Sequence, residues 1–212
     1  MQGETLHNLT MDIFKKITNF LFELNEAKRV PRSGWHRLGI KNAESVADHL
    51  ALTGQIAFVL AQMENANAPW AATLALFHDV GEIRTGDEDW ISRIYKNKDD
   101  SEEKAFLAQI DGLPVNGKFA DIYREIKEKK TKEAIIVKDA DLLELAIQAK
   151  VYERSGYHGA PIFIDGMRDN LKTKSAKKLL GEIEKGEIED WWLAIPEIVA
   201  IKKKTLETNN KQ

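Results

Sequence analysis

Apolar residues return every three to four positions along most of this chain, which is the period of a helix rather than the alternation of a strand. Ile13, Phe14, Ile17, Phe20, Leu21 and Leu24 form the first such stripe, and the helix they predict ends before Pro31. The following VPRSGWHRLGIKNAE carries Pro, Gly and Ser without a helical period and reads as a loop, with Asn42 as the cap of the next helix. That helix runs through Val46, His49, Thr53, Ala57 and Leu60. Pro69 suits the first position of a third helix, where a missing N–H costs nothing; AATLALFHDVGE is its body and Gly86 its exit. Ser101 with Glu102 and Glu103 reads as a capped start. Phe119, Ile122, Tyr123 and Ile126 mark a further helix, with Asn116 and Gly117 separating the two. TKEAIIVKDADLLELAIQAKVYE is the most apolar segment, and its length and Ala, Leu and Glu content favour a central helix despite the IIV triplet. Beyond Gly156 the period weakens, although residues 175–185 still read as helix. Trp191 and Trp192 are expected to cover the edge of the core, and KKKTLETNNKQ to fray. With no repeat, strand pair or linker in view, the expectation is an all-α single domain over 1–212. Its core spans about 10–155, and 156–212 form a helical extension.

Composition narrows the chemistry. The chain has 212 residues, 43% of them hydrophobic, which suffices for one ordinary core. A net charge of -3 gives no field to attract a nucleic-acid polymer or a membrane surface. The absence of cysteine removes disulfides, thiolate metal sites and cysteine nucleophiles, leaving His and carboxylates as the strong metal ligands. The opening MQGETLHNLTMD has neither a basic nor an apolar targeting segment, so a cytoplasmic location is expected.

Two of the five histidines stand beside an aspartate in apolar helical surroundings, Asp48-His49 and His78-Asp79. Burying such groups is costly unless hydrogen bonds or a metal compensate. Neighbouring helical side chains diverge by about 100°, so His78 and Asp79 can share an ion only if other helices complete its shell. Glu82 follows His78 by four positions and would project from the same side. Downstream, Asp139, Asp141 and Glu144 all lie on a helix that is apolar around most of its circumference, and periodicity does not choose between them.

VPRSGWHRLGIKNAESVADH, LALFHDVGEIRTGD and IVKDADLLELAIQAKVYE, in that order, resemble the HD-domain phosphohydrolase superfamily, in the branch that holds the 5'-deoxynucleotidases. The resemblance implies an HD-type helical bundle with a mononuclear metal centre at His49, His78, Asp79 and Asp141, loaded with one divalent transition metal (Mn, Co, Fe, Ni or Zn). It places Glu82 and Asp87 as the catalytic acids beside the phosphorus, and Arg32, Trp35 and Arg37 as substrate contacts; Lys138, three residues before Asp141, either joins the phosphate clamp or pairs with Asp141 or Glu144. Glu44 and Asp48 fit capping and orientation of His49. It further implies a homodimer acting on a small nucleotide, a nucleoside or deoxynucleoside 5'-monophosphate. Another phosphoester, such as a nucleoside triphosphate or an alarmone, and a non-catalytic nucleotide sensor are the alternatives. This chain departs from the classical bacterial deoxynucleotidases in having Gly34 where they carry an Arg directly before the Trp. His7, His36 and His158 stand outside any ligand pattern.

Overall fold

The computed structural model describes residues 2–96 and 98–201, with side chains described for 13–96 and 100–201; the terminal KKKTLETNNKQ, expected to fray, lies outside them, as does the side chain of His7. The first apolar stripe forms α1 (Gln2–Glu26), which turns through a short 3-10 segment well before Pro31. The loop after it is more ordered than its composition suggests, because Ser33–Leu38 coil into 3-10 turns closed by Gly39 at positive φ. Pro31 and Ser45 make an isolated antiparallel bridge that folds this loop back on itself.

Helix α2 (Val46–Met63) is capped by Ser45 and not by Asn42. Ser45 accepts from the Asp48 backbone while the Asp48 carboxylate accepts from Ser45 N, a reciprocal pair that satisfies two N–H groups the helix would leave open. Asn67 caps α3 (Ala68–Phe77), with Pro69 in its first turn as expected. The helix does not continue through HDVGE: His78 is its C-cap, residues 78–81 unwind into turns, and a separate turn α4 (Glu82–Thr85) follows. Gly81 sits against Glu102, where an added Cβ would lie 2.7 Å from the carbonyl oxygen, so that close approach admits no side chain. The Val80 carbonyl freed by the unwinding accepts from the buried Gln109 side chain.

Then come α5 (Trp90–Tyr95), α6 (Lys98–Ile110) and α7 (Asn116–Glu128). Ser101 therefore lies inside α6 and does not start it, and Asn116-Gly117 open α7 and do not precede it. Helix α8 (Lys132–Arg154) carries the central apolar segment, followed by α9 (Met167–Asn170), α10 (Lys174–Lys185) and α11 (Asp190–Leu193). Buried alanines Ala57, Ala61, Ala71, Ala75, Ala140 and Ala146 let α2, α3 and α8 approach closely, with Leu60, Leu74, Ile136 and Leu143 filling the rest. The core continues past α8, since Leu171, Ala176 and Leu180 join the same cluster. Phe20, Phe106, Ile110 and Tyr123 form a second cluster between α1, α6 and α7. Trp191 is 76% exposed, so it does not cover the core. No described helix is long and apolar enough to cross a membrane.

Candidate metal centre

Unwinding after Phe77 turns His78 and Asp79 toward α2 and α8 at the point where these helices meet. His49, on α2, is wholly buried, and its Nδ1 faces Glu144 Oε2 of α8 at 2.6 Å. His78 Nδ1 faces the Ala75 carbonyl at 2.7 Å. Each Nδ1 thus meets an acceptor, which fixes its proton there and leaves Nε2 as a lone-pair donor. The two Nε2 atoms point at one another, 3.3 Å apart. Around them, His49 Nε2 is 3.6 Å from Asp79 Oδ2 and 3.4 Å from Asp141 Oδ1, while His78 Nε2 is 3.2 Å and 4.0 Å from the same two atoms. Donor atoms each about 2.0–2.2 Å from one ion lie roughly 3–3.6 Å from one another. Ligand atoms of His49, His78 and Asp141 lie within 4.8 Å of one another, a set that could hold one divalent cation, with Asp79 Oδ2 beside both imidazoles.

The electrostatics agree. Burial and the Arg32 charge both work against a proton on His49, yet hydrogen bonds to Asp141, Asp79 and Glu144 outweigh them and hold the imidazole well above its usual range. Carboxylates that draw a proton to this point draw any cation to it. Burial opposes ionisation of Asp141, but Lys138, His49 and His78 prevail and keep its carboxyl well below the usual range.

The three acids of α8 part company. Asp139 is buried and accepts from the backbone N–H groups of Lys172 and Thr173, anchoring the entry to α10. Asp141 faces the histidines, and Glu144 stands behind His49. Behind Glu144 lies Glu44, whose carboxylate accepts from Trp35 Nε1 at 2.8 Å. Burial first, then the Glu144 charge, push Glu44 up to about 7.

Beside the histidines, the half-buried Arg32 guanidinium is 2.8 Å from Asp87, 3.5 Å from Asp79 and 3.8 Å from Glu82. Burial disfavours its charge, but Asp87, Glu82, Asp79 and Asp141 together raise its pKa further. Asp87 is engaged on both oxygens, accepting from Arg32 and from the Ser33 N–H and hydroxyl. Glu82 is wholly buried. Lys138 bonds Asp141 at 2.7 Å. Arg32, Asp87, Lys138 and Asp141 border an open cavity of about 430 Å³, whose lining does not include Glu82.

Two of the expected contacts sit differently. Trp35 lines the cavity, yet only 1% of its surface is exposed, and it packs on Tyr152 and Phe163. Arg37 is absent from the lining and bonds Asp89 at 2.7 Å. His36 and His158 are exposed, apart from the cluster. Conversely, the structure brings Trp90, Arg93 and Phe163 to the cavity. None of the three carried a signal in the sequence, because Trp90 and Arg93 sit on a six-residue helix and Phe163 in a four-residue 3-10 turn, both too short to show a period.

The HD domain family matches residues 24–183, a span that contains every residue of the cluster. Over 137 residues the chain is 35% identical to the 5'-deoxynucleotidase HDDC2 of Danio rerio, covering 63% of this chain and 68% of that protein. With the protein of the same name from Homo sapiens it shares 30% over 175 residues, covering 80% and 85%. Its fold is similar to that of a conserved hypothetical protein from Pyrococcus furiosus, at 28% identity and a TM-score of 0.70, covering 80% of this chain and 99% of that one. The helical architecture, the paired histidines with their aspartates and these matches together make the chain a member of the HD domain family.

Proposed function

We propose that the chain is a metal-dependent phosphomonoesterase that removes the 5'-phosphate from nucleoside monophosphates, deoxynucleotides included. The observation that carries this reading is the convergence of the His49 and His78 Nε2 atoms on the oxygens of Asp79 and Asp141 beside a nucleotide-sized cavity. The substrate class is taken from the relatives named 5'-deoxynucleotidases.

His49, His78, Asp79 and Asp141 would hold one ion, and two imidazoles with two carboxylates suit Mn, Co, Fe, Ni or Zn better than calcium. When bound, such an ion supplies Lewis-acid polarisation of the phosphate. Arg32, held among Asp79, Glu82 and Asp87, offers its guanidinium to the phosphate oxygens, and Lys138 adds a second positive charge from α8. Glu82 takes the proton from the attacking water. Water oxygen bonds to phosphorus, the bond from phosphorus to the 5'-oxygen breaks, and the proton passes to that oxygen, giving nucleoside and inorganic phosphate. Asp87 has its oxygens filled by Arg32 and Ser33, which supports a positioning part: it fixes the guanidinium. A homodimer in a reducing cytosol completes the reading. Apolar side chains exposed on α1, Phe14, Leu21 and Phe22, offer a surface for pairing, which sedimentation velocity would test.

The test is phosphate release from ribo- and deoxynucleoside mono-, di- and triphosphates with Mn, Co, Ni, Zn and Mg, alongside Glu82→Ala and Asp141→Ala. Release confined to monophosphates and lost in both variants is expected. Release from triphosphates instead would move the assignment to another phosphoester, and silence with metal bound would move it to a sensor.

A further inference from the structure

The cavity has two walls of different character. On one, the ring of Phe163 lies 4.7 Å from that of Trp35 and 5.1 Å from that of Trp90, so three aromatic rings run in a row from the buried core to the cavity. Gly34 permits the row: a Cβ there would lie 3.3 Å from the Phe163 ring, so the missing side chain gives the ring its place against the loop. Trp35 at the inner end is buried, whereas Trp90 at the outer end leaves 54% of its surface exposed while lining the cavity. A large apolar face left open inside a pocket is a recognition surface by default.

The other wall carries cations among carboxylates, with Asp79, Asp87 and Asp141 in the same lining. Arg93 lines the cavity with its Nε donating to the Glu88 carbonyl at 3.0 Å, and Lys138 lines it on Asp141. Trp90 and Arg93 stand three residues apart on α5 and share a face of that helix. The helix is fixed at its start, since Asp89 caps it by accepting from Ser92 N at 2.8 Å and is itself tied to Arg37. The helix and the Arg93 guanidinium are therefore set in place before any ligand arrives, which lowers the entropy cost of binding.

We propose that α5 is the nucleotide-reading helix of this pocket, with Trp90, backed by Phe163, stacking on the nucleobase and Arg93 joining Lys138 on the phosphate. An indole face accepts any base, so the site reads the presence of a base more than its identity. The assignment rests on the phosphomonoesterase reading above for the phosphate end, and on the aromatic row alone for the base end.

The experiment compares kcat/KM for deoxyadenosine 5'-monophosphate with that for deoxyribose 5-phosphate, which lacks a base. In Trp90→Ala the ratio of the two falls by about ten-fold, while Trp90→Phe keeps most of it. Arg93→Ala raises KM for both substrates and leaves their ratio in place. An unchanged ratio in Trp90→Ala overturns the base site, and an unchanged KM in Arg93→Ala overturns the phosphate contact. Tryptophan fluorescence separates this proposal from the activity itself. If the wild type hydrolyses neither compound, quenching by the nucleotide that inorganic phosphate does not reproduce, and that Trp90→Phe abolishes, upholds the base site without the phosphatase. Absence of such quenching overturns it.

Discussion

At His49 the two ring nitrogens have separate tasks: Nδ1 is hydrogen-bonded to Glu144, and Nε2 faces His78 and the aspartates. Glu144 thereby sets the tautomer and, through its charge, the basicity of a ligand it never joins at the metal. In Glu144→Gln the amide oxygen still accepts from Nδ1, but the charge is gone. Metal affinity is expected to drop about 10- to 100-fold with the fold intact, as competition with a chromophoric chelator would measure. Unaltered affinity would mean that Glu144 is merely buried. Glu44, one layer further out, carries a different prediction. A carboxyl raised from 4.5 to about 7 in the folded state is accommodated while protonated, so its contribution is complete below 4.5 and is lost as pH climbs through 7. Against Glu44→Gln, urea titrations in chelator should therefore find the wild type losing stability between these values, by at most about 3 kcal/mol, and level above them. A flat difference would return Glu44 to the ordinary carboxylate range.

Helix ends decide what each element offers. The Ser45–Asp48 cap fixes the first turn of α2 and with it the rotation of His49; Ser45→Ala should cost about 1 kcal/mol in chemical denaturation and reduce metal affinity as the first turn frays. A loss of stability with metal binding untouched would confine the cap to a local role. Hydrophobic periodicity made α1, α2, α7 and α8 legible from the sequence, although on α1 only part of the stripe is buried: Phe20 is, while Phe14 and Leu21 are exposed. It failed where tertiary contacts override the local pattern. The apolar LALFHDVGE reads as one helix, yet Gly81 against Glu102 and the Gln109 bond to the Val80 carbonyl hold it open after Phe77. Asp139, Asp141 and Glu144 were inseparable by period because α8 is buried on nearly all sides; only its partners, the α10 entry, the histidine pair and the back of His49, tell them apart. Motif resemblance singled out Asp141, while Trp90 and Arg93 carried no signal beyond their residue types.

Taken together, α2, the end of α3 and α8 meet at one point far apart in sequence, and that point gathers acids whose mutual repulsion the folded chain must contain. An ion that binds there and not in the unfolded chain stabilises the whole molecule by mass action. At a free metal concentration 100 times its dissociation constant the gain is about 2.7 kcal/mol, and for a chain of this length each kcal/mol moves the midpoint by about 2–4 °C. Adding Mn or Zn to chelator-treated protein should therefore raise Tm by about 5–10 °C, in a concentration-dependent way. His49→Ala removes a donor from the centre of the cluster and should abolish the shift, whereas Trp90→Ala, which removes no ligand atom, should keep it. A metal-induced shift that persists in His49→Ala would place the ion elsewhere and break the link between this cluster and the fold's stability.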